Sequence, residues 1–274
     1  MTLRQPVFHL VKSTTEEFLY FLLWTAESFL RPTWCNLDET FESWAYRNRL
    51  GRRLAVLERD KLIERTPAGR VCRLTAEGRR LALGGRDPLR RWERPWDGRW
   101  RLVLFDLPVN ATATRSALRR FLLRHSFGYL QQSVWITPDG LAEVRRLLRK
   151  LPADVESLML MEGRPCGGES DAAIVRGAWD FPRINGLYEQ HQAVLRDRPE
   201  IPTRHTPPTP EFRAWARCER EVWKAAVRRD PLLPRALLPP AYRGREAWAA
   251  RRRLFRQLHD RFWPEGAGHS DGEG

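Results

Sequence analysis

The chain has 274 residues, of which 48 are Lys or Arg and 34 are Asp or Glu, so its formal net charge at pH 7 is +14. This length allows one large domain or two to three small ones, at about 100–200 residues per domain. Hydrophobic residues make up 42% of the sequence, which excludes a wholly disordered chain. The longest apolar run, Phe18–Trp24, is far shorter than the about 20 residues that span a bilayer, and no secretory signal is recognisable. We therefore expect a cytoplasmic protein that does not bind membranes.

The cysteines and histidines show no pattern of metal ligands. Four cysteines are far apart and form no CxxC pair, which argues against a zinc site and against a disulfide framework. The six histidines lack metal-ligand spacing as well. We expect neither a metal nor a cofactor.

The positive charge is concentrated between residues 46 and 94, which contain 15 Lys or Arg and six Asp or Glu. A field of this sign attracts polyanions such as DNA, RNA or an acidic membrane surface. Of the 48 basic residues in the chain, 44 are arginines, a preference that the codon bias of a GC-rich genome would also explain. Codon bias does not account for the net excess of positive charge, so the concentration in one segment favours nucleic-acid binding.

Two glycine-rich breaks divide the sequence into three parts. The first break spans residues 84–98 and is rich in turn-forming and charged residues, and the second spans residues 166–170. We therefore predict three domains followed by a disordered tail, at residues 13–85, 98–165, 170–263 and 264–274.

The first part has the pattern of a winged helix-turn-helix. Ser13-Thr-Thr-Glu16 matches a capping box at the start of a helix, and a second amphipathic helix follows. A third helix is predicted over 47–59, and two strands are predicted over 62–65 and 70–74 with a turn between them. Thr75 is expected to cap a short helix after the second strand. In a winged helix-turn-helix the third helix enters the major groove and the hairpin contacts the flanking backbone.

Basic residues are frequent in both elements that would contact DNA. Arg49, Arg52 and Arg53 share one helix face, and a guanidinium group can bond to guanine or to two phosphate oxygens. The alternative is an ordinary solvated helix face, but charge, helix order and hairpin together favour DNA binding. We predict that five residues face the major groove and three contact flanking phosphates: Arg47, Asn48, Arg49, Arg52 and Arg53, then Arg65, Arg70 and Arg73.

The second part has the order β-α-β-β-α-β. Trp100–Asp106 is typical of a short apolar strand, and the next helix has an apolar face on which His125 is expected to be buried. Two short strands, a second helix and a final strand at 155–161 complete the order of a ferredoxin-like domain. We expect this domain to mediate dimerisation.

The third part is mainly helical, with helices predicted over 174–195, 210–228 and 245–262. The segment 230–240 is too rich in proline to continue either neighbouring helix. The predicted fold class is therefore α+β, with an N-terminal winged helix-turn-helix, a central ferredoxin-like domain and a C-terminal helical domain.

Four segments resemble the PaaX-like family of repressors, which is named for regulating phenylacetic acid degradation. They are Trp100-Arg-Leu-Val-Leu-Phe-Asp-Leu-Pro108, Phe127-Gly-Tyr-Leu-Gln-Gln-Ser-Val-Trp-Ile-Thr-Pro138, Ala178-Trp-Asp-Phe-Pro-Arg-Ile-Asn-Gly-Leu-Tyr188 and Arg229-Asp-Pro-Leu-Leu-Pro-Arg-Ala-Leu-Leu-Pro239. Leu74-Thr-x-x-Gly78 after the hairpin adds to the resemblance. The predicted recognition helix departs from it, because Leu50-Gly51 and Val56-Leu57 stand where the family usually has a Val-Arg pair and a late arginine.

The resemblance implies a DNA-binding transcriptional repressor. Members of the family bind palindromic operators in double-stranded DNA as homodimers, and an aryl-CoA thioester such as phenylacetyl-CoA releases them. An acyl-CoA effector needs cations for its phosphates and an aromatic pocket for its aryl group. Five residues at the junction of the second and third parts combine these chemistries: Arg176, Trp179, Arg183, Asn185 and Tyr188. Alternatively, the Trp and Tyr pack in the core and the arginines are solvated.

The central part also resembles the small nuclease of CRISPR spacer acquisition, whose first strand ends in Asp followed shortly by Pro. Asp106 from two chains could then hold Mg²⁺ for phosphodiester hydrolysis. The nearest acidic neighbour before it in the sequence is Asp97, so the simpler alternative is that Asp106 hydrogen-bonds a turn. We therefore expect a regulator and not an enzyme.

Overall fold

The structure is a computed structural model that describes residues 51–65, 72–83, 85–106, 112–131, 133–148, 158–201 and 209–262. The helices predicted before residue 47 and the predicted tail lie outside these residues. In chain order the described elements are α1 (Gly51–Arg59), β1 (Ile63–Arg65), β2 (Cys72–Leu74), α2 (Ala76–Ala82), α3 (Pro88–Trp92), β3 (Trp100–Phe105), α4 (Thr112–Arg124), β4 (Gly128–Gln131), β5 (Val134–Thr137), α5 (Ala142–Leu148), β6 (Leu158–Gly163), α6 (Asp171–Ala178), α7 (Phe181–Arg196), α8 (Pro210–Arg229), a 3₁₀ turn (Arg235–Leu237) and α9 (Gly244–Phe262).

The chain forms two compact units. The first takes its described residues from 1–87, 192–224 and 246–274, and the second takes them from 88–191 and 225–245. The three-domain division drawn from the sequence stays a prediction. Among the described helices, none is both long enough and apolar enough to cross a membrane.

The first unit contains a helix, a two-stranded hairpin and a second helix, which we call the hairpin region (residues 51–83). β1 and β2 are antiparallel, with Ile63 opposite Leu74 and Arg65 opposite Cys72. The two predicted strands and the predicted end of the third helix at Arg59 are therefore confirmed.

The helical part of the first unit encloses a fully buried ion pair. The Arg251 guanidinium donates to the Glu219 carboxylate at 2.7 Å, and both side chains are 0% exposed. The Arg251 guanidinium carbon also lies 4.7 Å from the Trp223 ring centroid and 4.4 Å from that of Phe255, which is cation–π geometry. The apolar cluster of the same part comprises Leu195, Ile201, Phe212, Trp215, Leu254, Phe255 and Leu258.

The second unit is built on a four-stranded antiparallel sheet with the strand order β4-β5-β3-β6. Together with α4 and α5 this gives the predicted β-α-β-β-α-β order, which is confirmed. Alternate residues of a strand point to opposite faces of its sheet. Val103 and Phe105 of β3 and Trp135 of β5 accordingly pack with Leu118 and Leu122 of α4 in one buried cluster.

Three predictions of local structure are corrected by the structure. His125 is exposed, because it follows the end of α4 and stacks on Phe121 with ring centroids 4.1 Å apart. The helix predicted over 174–195 is two helices, because Trp179 is extended and Pro182, which lacks an amide hydrogen, is tolerated only in the first turn of a helix. The Asp180 carboxylate instead accepts a bond from the Arg183 amide at 3.0 Å and begins a new helix. The last strand ends at Gly163, two residues later than predicted.

Candidate functional site

A tight connection in the hairpin region brings the end of α1 to the start of α2. Lys61 has a left-handed backbone (φ 55°), and the Leu62 amide donates to the Leu57 carbonyl at 2.8 Å. The Thr75 hydroxyl donates to the Lys61 carbonyl at 2.7 Å and accepts from the Gly78 amide at 3.0 Å. One hydroxyl therefore ties the two helices together and caps α2, which confirms the predicted cap.

The hairpin region also buries apolar side chains from several of its elements. Leu57 of α1 and Ile63 of β1 are 1% and 2% exposed, and Leu83 after α2 is fully buried. Val56, one of the departures from the family pattern, is 37% exposed, on the outside of α1. The packing of Leu57 therefore fixes which side of the helix faces away from the core.

The predicted DNA contacts lie partly within the described residues. Arg52 and Arg53 belong to α1, four and three residues before Val56, and Arg65 and Arg73 belong to the paired strands β1 and β2. The other predicted contacts lie outside the described residues: Arg47, Asn48, Arg49 and Arg70.

The five predicted effector residues differ in exposure. Arg176 and Arg183 are exposed, and Trp179 is half-buried, with its indole N–H donating to the Ser126 carbonyl at 3.1 Å. Asn185 is half-buried, and Tyr188 is 0% exposed. The structure thus leaves two cations exposed and one indole half-buried, whereas the tyrosine is part of the core.

Tyr188 belongs to a buried cluster that the sequence analysis did not find. Its hydroxyl donates to the Asp230 carboxylate at 2.5 Å, and the Tyr242 hydroxyl donates to the same oxygen. The other carboxylate oxygen accepts from the Leu232 amide at 2.7 Å. Burial, and then the negative charge of Asp230, raise the pKa of Tyr188 well above its ordinary value and also raise the pKa of Tyr242. Both phenols therefore stay protonated and act as hydrogen-bond donors.

A row of three tryptophans lies on the side of the sheet away from α4. The ring centroids of Trp96 and Trp100 are 5.6 Å apart, and those of Trp100 and Trp179 are 6.1 Å apart. The Trp100 indole N–H donates to Asp171 at 2.7 Å. Gly128 in β4 permits the close approach, because a Cβ there would lie 2.8 Å from the Trp179 ring.

Part of this sheet face is apolar and open. Met159 and Met161 of β6 are 58% and 48% exposed. They lie opposite Leu104 and Leu102 of β3, which are half-buried, and Val134 of β5 borders Leu104 on the other side. We call these five residues the methionine face. Large exposed apolar side chains grouped on one surface mark interaction sites more often than single ones do.

Asp106, which the nuclease alternative requires, is exposed at the end of β3. Among the residues that the structure describes, no group of three or more His, Cys, Asp or Glu side chains is arranged to hold a metal ion.

Comparisons with known proteins cover most of the chain after the hairpin region. Residues 93–175 match the family model described as PaaX protein central Cas2-like domain, and residues 179–271 match that of the PaaX-like protein C-terminal domain. The chain is 27% identical over 247 residues to the transcriptional repressor PaaX of Escherichia coli (strain K12), covering 87% of this chain and 70% of that relative. A solved structure of an uncharacterized protein from Mycobacterium tuberculosis is similar with a TM-score of 0.49 and 21% identity, over 88% of this chain and 95% of that one.

Proposed function

Because the chain belongs to the PaaX-like family of transcriptional repressors, we propose that it represses transcription by binding a palindromic operator as a homodimer and is released by an acyl-CoA thioester. The observation that carries the proposal is the hairpin region, in which a helix and a two-stranded hairpin are joined within the most basic segment of the chain. The curated relative is a repressor and not an enzyme, so regulation and not catalysis is the activity proposed. Such a protein would act in the cytoplasm.

DNA recognition is assigned to a winged helix-turn-helix in which α1 is the end of the recognition helix. Arg52 and Arg53 belong to α1, and their sequence spacing from Arg49 is that of one helix face. Arginines in the groove would read bases, whereas Arg65, Arg70 and Arg73 in the hairpin would neutralise flanking phosphates.

Dimerisation is assigned to the methionine face. Burying Met159 and Met161 against a second copy removes their apolar surface from water, at about 25 cal/mol per Å². A twofold axis through this face would place the same residues on both sides of the interface, as symmetric dimers require. Two DNA-binding heads on such a dimer would contact half-sites one helical turn apart, or a multiple of it.

Effector binding is assigned to the surface around Arg176 and Arg183. Both cations are exposed and available to CoA phosphates, and the half-buried Trp179 supplies an aromatic wall nearby in the chain. Tyr188 and Asn185 would support this surface from within. An effector that binds more tightly to one arrangement of the dimer lowers its DNA affinity by that difference in binding.

The test is a fluorescence-anisotropy titration of a labelled duplex from the region upstream of the protein's own gene, at near-physiological salt with competitor DNA. The proposal expects tight specific binding that phenylacetyl-CoA or another acyl-CoA reverses. Arg52→Ala should cost about 1–3 kcal/mol and relax specificity, whereas Arg70→Ala should weaken all sequences equally. Arg235→Ala, which removes an exposed arginine of the second unit, is the matched control. Unchanged affinity in both the Arg52 and the Arg70 variants would show that the DNA-binding surface lies elsewhere.

A further inference from the structure

The helix α4 is basic and contains no acidic residue of its own. The helix contains four arginines, and the 32 residues between Asp106 and Asp139 include no Asp or Glu, although 34 of the 274 residues in the chain are acidic. At that frequency a segment of this length would carry about four carboxylates. The segment is therefore selectively depleted of negative charge.

Three of these arginines are exposed: Arg119, Arg120 and Arg124. Within the described part of the chain, none of the three has a carboxylate partner. Arg101 of the central strand β3 differs, because it pairs with both Asp97 and Glu162. The guanidinium groups of Arg119, Arg120 and Arg124 thus keep N–H donors that no carboxylate of the described residues occupies.

Two of the α4 guanidinium groups are held in place by contacts that spare most of their donors. The guanidinium carbon of Arg119 lies 5.7 Å from the Tyr129 ring centroid and 6.0 Å from that of Trp135. The Arg124 side chain donates one bond, from Nε to the Arg120 carbonyl at 3.2 Å. A guanidinium has five N–H donors, so each remains able to bind an anion bidentately.

We propose that this α4 face is a second DNA-binding surface, which contacts phosphates of the duplex in addition to those contacted by the hairpin region. The inference rests on the proposed function, since it extends the DNA contacts of a repressor. Arg119 to Arg124 span about 7.5 Å of helix, and a duplex presents one charge per about 1.7 Å of its axis. Several phosphates therefore come within reach of the three side chains.

The chemistry of the face favours DNA over an acidic protein. Protein–protein interfaces have apolar cores, whereas here the exposed side chains of Leu123 and Tyr129 stand among three guanidinium groups. Interfaces with DNA are much more positively charged. Nothing on this face reads a base, so the contribution should be independent of sequence.

The test compares the salt dependence of duplex binding for the wild-type protein, R120Q/R124Q and the control R235Q/R245Q. The control removes two exposed arginines from the same unit, so net charge falls equally in both variants. We expect R120Q/R124Q to flatten the plot of log K against log salt by about 0.9 for each phosphate that the variant no longer neutralises, and to weaken binding by roughly fivefold per phosphate at 0.15 M salt. The reduction in affinity should be the same for operator and random duplexes.

The possible results of this comparison are distinguishable. If wild-type protein binds the upstream duplex specifically and R120Q/R124Q has the slope and affinity of the control, the α4 surface is rejected and the repressor function stands. If R120Q/R124Q loses affinity for the operator alone, α4 reads bases and the phosphate assignment is wrong. If wild-type protein binds no duplex specifically, the proposed function fails and the inference fails with it. A thermal unfolding midpoint equal to that of the wild-type protein in both variants would show that the substitutions leave the helix intact.

Discussion

Gly78 lies against the backbone carbonyl of Leu62 so closely that a Cβ on Gly78 would stand 1.9 Å from that oxygen. The same carbonyl accepts a bond from the Thr75 amide at 3.1 Å. Because the carbonyl is thereby fixed, the contact cannot relax by a side-chain movement. The position therefore admits only glycine, and the Leu-Thr-x-x-Gly sequence after the hairpin is explained by the close approach of α2 to the connection between α1 and β1.

Gly78→Ala is expected to destabilise the hairpin region by about 1–3 kcal/mol or more, since overpacking against backbone forces the chain to shift. DNA affinity should fall with it, because the proposed recognition helix and hairpin are joined at this point. Gly177→Ala is the control, since a Cβ there has no heavy atom within 4 Å and replacing a helical glycine stabilises by about 0.5–1 kcal/mol. Denaturant unfolding and duplex titration measure both effects. Wild-type stability in the Gly78 variant would contradict the packing described.

The buried tyrosines predict a loss of stability at alkaline pH. The pKa of Tyr188 is raised in the folded state, so its contribution is complete below the unfolded pKa of about 10 and is lost as the pH rises above it. The free energy of unfolding should therefore fall above pH 10, by up to about 1.4 kcal/mol per pH unit for each such tyrosine. Unfolding titrations between pH 8.5 and 11.5 measure this slope.

Tyr188→Phe removes one titrating group, so the free energy of unfolding should fall less steeply above pH 10, by up to about 1.4 kcal/mol per pH unit. Phe181→Leu is the matched control, because Phe181 is buried and packs against Tyr242 with ring centroids 5.8 Å apart but cannot titrate. The control should lower stability and leave the slope unchanged. Equal slopes in wild-type protein and in Tyr188→Phe would contradict a protonated, buried Tyr188.

The buried ion pair of the first unit predicts that substitutions of Glu219 and of Arg251 have non-additive effects on the free energy of unfolding. Arg251→Met leaves the Glu219 carboxylate buried without its partner, which costs about 3–5 kcal/mol. The double variant Glu219→Leu/Arg251→Met should recover most of that loss, since apolar replacements of buried pairs are often neutral. Burial already raises the pKa of Glu219, an effect that Arg251 opposes, so the deficit of Arg251→Met should shrink as the pH falls. Additive single-variant effects would show that the two residues do not interact.

The methionine face predicts a specific loss of dimerisation. Met159→Glu/Met161→Glu places like charges at the centre of the proposed twofold interface and should convert the dimer to a monomer of 32.2 kDa. Leu123→Glu, which changes an exposed apolar residue on α4, should leave the dimer intact. Sedimentation velocity separates the two species. A dimer that survives the double substitution would place the interface on another surface.

The central domain was predictable from sequence because its elements are short and strongly periodic. The strand that begins at Trp100, the helix that buries Leu118 and the paired strands β4 and β5 all follow local patterns of apolar residues. The cap at Thr75 was predictable for the same reason, since its partner Gly78 is three residues away. The resemblance to the PaaX-like family is likewise confirmed by both family matches.

Contacts between distant residues were not predictable. Tyr188 and Asp230 are 42 residues apart, and no periodicity connects them, so the sequence predicts an effector residue at Tyr188 and does not indicate its buried partner. The open methionine face was missed because alternation in a strand shows two faces but not which of them is covered. The prediction of a buried His125 is wrong because it extends the apolar pattern of α4 beyond Arg124, where the helix ends.

Asn185 illustrates how one amide can take the place of a missing strand. Its Nδ2 donates to the Ala241 carbonyl and its Oδ1 accepts from the Arg243 amide, both at 3.0 Å. A neighbouring β-strand would offer the same donor and acceptor pair to alternate residues. An aspartate could not donate, and a leucine could do neither, so only a carboxamide of this length satisfies both backbone groups. The side chain thereby fixes the path of the chain into α9 with a single residue of α7.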